Sequence, residues 1–105
     1  MVSHETIDKR GLAYATAIVE HIESDPAQQA VKRAQERCKR WLKEVPSQDL
    51  LVWEALLSRP WTEIKKSLLE RSEHGNRLRQ NNPFCGVLTH QERWAIHRAF
   101  RHHET

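Results

Sequence analysis

Between Pro26 and Val45 the apolar residues Ala27, Ala30, Val31, Ala34, Cys38, Trp41, Leu42 and Val45 draw one continuous stripe. Their three- and four-residue spacing matches a helix turning about 100° per residue. The rest of this helix carries Lys32, Arg33, Arg37, Lys39, Arg40 and Lys43 against Glu36 and Glu44. A helix with so clean a stripe must bury it against other elements. The fold therefore depends on what the rest of the chain supplies.

It supplies more helices. Residues 5–22 place Ile7, Gly11, Tyr14, Ala15, Ile18 and Ile22 at helical spacing, and Gly11, Ala13, Ala15 and Ala17 are small enough for a second helix to approach closely. Asp25-Pro26 reads as an N-cap followed by a first-turn proline, restarting the chain as the striped helix. A third helix over 47–58 contains Leu50, Leu51, Val52, Trp53, Ala55, Leu56 and Leu57 and has almost no polar face, which places it in the middle of a bundle. A fourth begins near Pro60 with Trp61, Ile64, Leu68 and Leu69, and ends either at a Gly75 cap or beyond it at Gln80. Asn81–Gly86 is the long loop, and Thr89 with Glu92 three residues on forms a capping box that opens a fifth helix. There is no sustained alternation of strand type. The expectation is one all-α domain over residues 1–105, a bundle of about five helices with the third at its centre.

Charge is unevenly placed. Residues 1–70 hold 11 Lys and Arg against 11 Asp and Glu, whereas residues 71–105 hold six Arg and no Lys against three Glu, so the net +3 lies entirely in the last third. Five of the seven His lie there too. Arginine offers a planar fork to carboxylates, phosphates and aromatic faces. No run nears the ~18 apolar residues of a membrane span. The polar start, Met1 to Arg10, lacks a signal-peptide pattern, so the sequence points to a cytoplasmic location. Cys38 and Cys85 form no disulfide framework, although a single bridge between them stays open.

Two clusters stand out. In the last helix Ala95, Ile96, Ala99 and Phe100 share one face, and Trp94 lies opposite with His90, His97 and Arg101 beside it. Such a tryptophan packs against a second layer, anchors a protein partner or stacks on a base. The second cluster is Gly75–Asn82, where Arg77, Arg79, Asn81 and Asn82 combine guanidinium groups with amides. That set can clamp a phosphate or a peptide, or simply brace an irregular loop.

Catalytic and metal chemistry find little footing. His90 and His97 stand about 10 Å apart along a helix, too far to share an ion. Neither cysteine has a CxxC partner, so no metal site is expected. There is no glycine-rich phosphate loop or serine elbow, and no cofactor is expected. Cys85 beside Gly86 is a loop cysteine without a local base. Arg98 and His103, with four residues between them, are similar in spacing to the R-x(4–6)-H pair of HEPN-type ribonucleases. That resemblance would imply a helical protein in which the two residues act on RNA. Eleven Arg and seven His also produce such a pair by chance, so a ribonuclease is the third reading only.

The leading expectation is a small accessory or regulatory protein without catalytic chemistry. It binds a protein of acidic or amphipathic surface through the C-terminal third, using Trp94, His90, His97, Arg98, Arg101, Arg77, Arg79, Asn81 and Asn82. Nucleic-acid binding through the same arginines, Arg93 and Trp94 is the alternative. Monomer and dimer are equally compatible with the sequence.

Overall fold

Six α-helices make up the computed structural model, which describes residues 4–25, 29–84 and 86–101. They are α1 (His4–Glu23), α2 (Gln29–Glu44), α3 (Gln48–Leu57), α4 (Trp61–Leu68), α5 (Glu73–Gln80) and α6 (His90–Arg101), and there is no strand among the described residues. The count exceeds the expected five because the stretch after Leu68 is broken. The α4 helix stops at Leu69, Ser72 takes an extended conformation, and its hydroxyl accepts the N–H of Gly75 at 3.0 Å to start α5. Gly75 thus sits in the first turn of α5 and does not cap α4.

The other breaks follow local chemistry. Ser47 caps α3 by accepting from the N–H of Leu50. The Asp25 carboxylate accepts from the N–H of Gln29 at 3.0 Å, at the entrance to α2. Pro26 itself, the expected first-turn proline, lies outside the described residues. The box at α6 forms as read: Thr89 N–H donates to Glu92 Oε1 at 3.0 Å, and Glu92 N–H donates to the Thr89 hydroxyl at 3.1 Å.

The buried side chains form one cluster, to which α1 gives Ala15, Ile18, Val19 and Ile22, and α2 gives Ala34 and Cys38. Trp53 of α3 is fully buried within it. Its indole N–H donates to the Leu78 carbonyl at 2.9 Å, and its ring meets Phe84 edge-on, with centroids 6.1 Å apart. Phe84 and Leu88 show that the 81–89 loop is itself part of the core.

The third helix is less central than its composition implies. It packs on α2, α4 and α5, while α1 packs on α4, α5 and α6. The two helices share the middle. The outer side of α3 exposes Leu51, Glu54 and Ala55, so a nearly unbroken apolar run here does not mean burial all round.

Candidate functional site

The α6 helix rests on α1 largely through polar contacts. Glu92 Oε2 lies 2.5 Å from His21 Nε2, the Tyr14 hydroxyl donates to the Arg93 carbonyl at 3.3 Å, and an Arg10 guanidinium nitrogen lies 3.4 Å from His97 Nδ1. None of the described α6 side chains is fully buried. Ile96 and Phe100 are half-buried, but Ala95 and Ala99 are exposed. The inward face is therefore Glu92, Ile96 and Phe100, at four-residue steps. It is rotated away from the expected apolar face, because the ion-paired Glu92 turns inward with it.

That rotation leaves Gln91, Trp94, Ala95 and Arg98 exposed at positions i, i+3, i+4 and i+7, which share one face of a helix. Trp94 is 47% exposed. Its ring stacks on the His97 imidazole with centroids 5.3 Å apart and planes 20° from parallel. His97 is in turn braced by Arg10, so the indole rests on a supported platform. His90 and Arg98 are exposed. The guanidinium groups of Arg93 and Arg98 have no hydrogen-bond or ion-pair partner among the described residues. The side chain of Arg101 lies outside the described residues, as does His103, the partner of Arg98 in the ribonuclease-like spacing.

The second cluster is built differently. Arg79 is only 7% exposed and makes three hydrogen bonds, to the Leu68 carbonyl at 3.0 Å, to the Glu70 carbonyl at 2.6 Å and to the Asn76 side-chain oxygen. It closes the C-terminal end of α4, where helix carbonyls lack partners. Burial pulls its pKa below the usual guanidinium value, against the pull of nearby Asp8 and Glu70. Asp49 of α3 receives both Arg77 Nε at 3.2 Å and the Asn81 amide at 3.1 Å. Asn82 donates to the Arg79 carbonyl at 3.0 Å and accepts the Phe84 N–H at 2.9 Å. All four polar groups are thus engaged inside the fold. The α1 helix packs against both α5 and α6, and Arg79 and Asn82 of the second cluster share a cleft with Arg93 of α6.

Beside α1 lie a cleft of about 140 Å³, whose lining includes Asp8, Arg10, Gly11, Tyr14 and Arg79, and two wider ones. The larger, about 350 Å³, is lined by Gly11, Tyr14, Ile18, Trp41, Arg79, Gln80, Asn82, Phe84, Gly86, Leu88 and Arg93. The smaller, about 230 Å³, includes His21, Asp25, Arg33 and Arg37. The Arg37 guanidinium is committed to the Pro83 carbonyl at 2.7 Å. Periodicity did not reveal the larger cleft, because its walls come from α1, α2, α5, the loop and α6. Gly11 is the residue that marks it: a Cβ built there meets nothing within 4 Å. The expectation that Gly11 admits a neighbouring helix gives way to open space.

No group of three His, Cys, Asp or Glu among the described residues is placed to hold a metal ion. Cys38 is a buried free thiol that donates to the Leu50 carbonyl at 3.3 Å, and burial raises its pKa. It is a packing residue in α2, and no bridge from it to Cys85 forms. No described helix is long and apolar enough to cross a membrane. No family model matches the chain, and no curated protein or solved structure matches it either.

Proposed function

We propose that this chain is a small helical interaction module, accessory or regulatory in role and without catalytic chemistry of its own, that docks another protein on the outer face of α6. The observation that carries the reading is Trp94: a half-exposed indole, supported from behind by His97 and Arg10, on a helix that gives no fully buried side chain to its own core. Tryptophan and arginine are the residues most enriched among those that dominate binding energy, and pre-positioning lowers the ordering cost of association. The charge points to the partner's chemistry. Glu92 is turned inward to His21, and the guanidinium groups of Arg93 and Arg98 have no ion-pair partner among the described residues. The free charge of the helix is positive, so an acidic segment with an apolar patch for Trp94 fits best.

Nucleic acid is the competing occupant. The exposed row Lys32, Lys39, Arg40 and Lys43 on α2 favours it. The engagement of Arg77 by Asp49 and of Arg79 by α4 carbonyls removes two arginines from that footprint.

The test is affinity capture from nuclease-treated lysate with wild type, Trp94→Ala and Arg98→Glu. Each captured protein is then purified and titrated. An acidic protein that binds wild type directly, loses affinity at least tenfold with either variant and tolerates a rise in salt from ~50 to ~200 mM supports the reading. A partner that ignores both variants overturns it. Binding of pooled DNA or RNA that collapses over the same salt range transfers the function to nucleic acid.

A further inference from the structure

The larger cleft is a second place where the fold leaves something open, and it does not depend on the outer face of α6. We infer that it is a binding site for a small aromatic carboxylate.

The lining carries the argument. Its ionisable cations are Arg79 and Arg93, and no carboxylate lines it. Arg79 forms part of the floor. Its hydrogen bonds go to two backbone carbonyls and one amide, none to a carboxylate, and its Nε is buried without a partner. Arg93 stands exposed at the rim with an unengaged guanidinium group. Arg93 has no ion-pair partner among the described residues, and Arg79 is opposed only by the more distant charges of Asp8 and Glu70, so the concavity keeps a field that favours a bound anion. A guanidinium group recognises a carboxylate through two parallel hydrogen bonds.

The walls set the rest of the ligand. Tyr14, Trp41 and Phe84 contribute aromatic surface, and Asn82 adds an amide. A volume of about 350 Å³ sits at the lower end for small-molecule sites and matches a ligand of one or two rings. Gly11 is the independent observation. Glycine inside a helix is unfavourable relative to alanine, and this one has no close neighbour to excuse it. Gly11 lines the cleft and a Cβ built on it meets open space, so a larger side chain there narrows the cleft. Its absence is what keeps the cavity open.

The experiment uses the full chain with two isosteric probes, 1-naphthoate and 1-naphthamide, titrated by NMR chemical shift. The variants are Gly11→Leu, Arg93→Met and Trp94→Ala. Gly11→Leu plugs the cleft with a strong helix former and should melt no lower than wild type, so lost binding is not lost folding. Naphthoate should bind wild type at least tenfold more tightly than naphthamide, fail to bind Gly11→Leu, and bind Arg93→Met about tenfold more weakly. Trp94→Ala should bind it normally, which separates this site from the protein-docking face. Equal affinity for the two probes overturns the inference. So does unchanged binding by Gly11→Leu, or no binding to wild type up to about 1 mM.

Discussion

His21 on α1 and Glu92 on α6 meet at 2.5 Å, and Glu92 is at the same time the reciprocal residue of the α6 capping box. One carboxylate thus starts a helix with Oε1 and docks it with Oε2. The hydrogen bond from His21 is the largest influence on Glu92, followed by the backbone and hydroxyl of Thr89, and together they lower its pKa from 4.5 to about 2. A carboxyl group held below its unfolded value adds stability that is complete above the unfolded value and is lost as pH falls through the folded one. The docking of α6 should therefore be at full strength above pH 4.5 and decline between 4.5 and about 2. Urea midpoints of wild type and Glu92→Gln should differ just above that window and converge within it. A gap independent of pH would remove Glu92 from this role.

The two exposures of tryptophan predict opposite outcomes. Trp53→Ala removes a fully buried ring, its hydrogen bond to Leu78 and its edge contact with Phe84, and should cost about 3–5 kcal/mol. Trp94→Ala removes a half-exposed ring stacked on one imidazole and should cost less than about 1 kcal/mol. Chemical denaturation of both variants checks the pair. A core-sized loss at Trp94 would show that the indole serves the fold, and would undercut its assignment as a docking anchor.

What the sequence made legible was what lies within one helix. The α2 stripe from Ala30 to Leu42, the caps at Ser47 and Thr89, and the α1 residues from Tyr14 to Ile22 follow from spacing that local geometry enforces, whereas Val45 and Ile7 at the ends of the two expected stripes are exposed and Ala27 lies outside the described residues. The break after Leu68 was harder, because Ser72 competes with a helical pattern that Leu78 and Gln80 continue. The rotation of α6 was not legible at all. Apolar periodicity favoured a face with Ala95 and Ala99, yet in the actual one Glu92 turns inward to a hydrogen bond with His21, 71 residues away. Likewise the Arg77–Asn82 segment reads equally as a binding loop or a brace, and its bonds to Asp49 and to the Leu68 and Glu70 carbonyls come from residues distant in sequence. Alanine is too small for its burial to outweigh an ion pair, and such pairs leave no periodic trace.

Arg79 predicts a stability effect that outweighs its charge. Replacing it with Met keeps the length of the side chain but strips partners from the Leu68 and Glu70 carbonyls. Each buried polar group left unsatisfied costs about 1–3 kcal/mol, so Arg79→Met should lose about 3 kcal/mol in urea denaturation. Its exposed neighbour Arg77, on the rim pair with Asp49, should lose less than about 1 kcal/mol on the same change. Similar losses at the two positions would mean that the carbonyls of α4 find water when Arg79 is gone.

Two helical glycines provide the sharpest contrast, because identical substitutions should move stability in opposite directions. A Cβ at Gly75 would lie 2.2 Å from the Glu70 carbonyl oxygen and 2.9 Å from its carbon, both backbone atoms that cannot swing aside. Gly75→Ala must push apart the turn joining α4 to α5, the same turn that Arg79 ties down, and should destabilise by about 1–3 kcal/mol. A Cβ at Gly11 meets nothing, so Gly11→Ala should gain about 0.5–1 kcal/mol from helix propensity alone. Thermal and urea unfolding of the two variants decides both. Stabilisation at Gly75 would show that the α4–α5 turn is free to relax. A loss at Gly11 would show that α1 is pressed by a neighbour at that position, and the cleft behind Arg93 would then be closed.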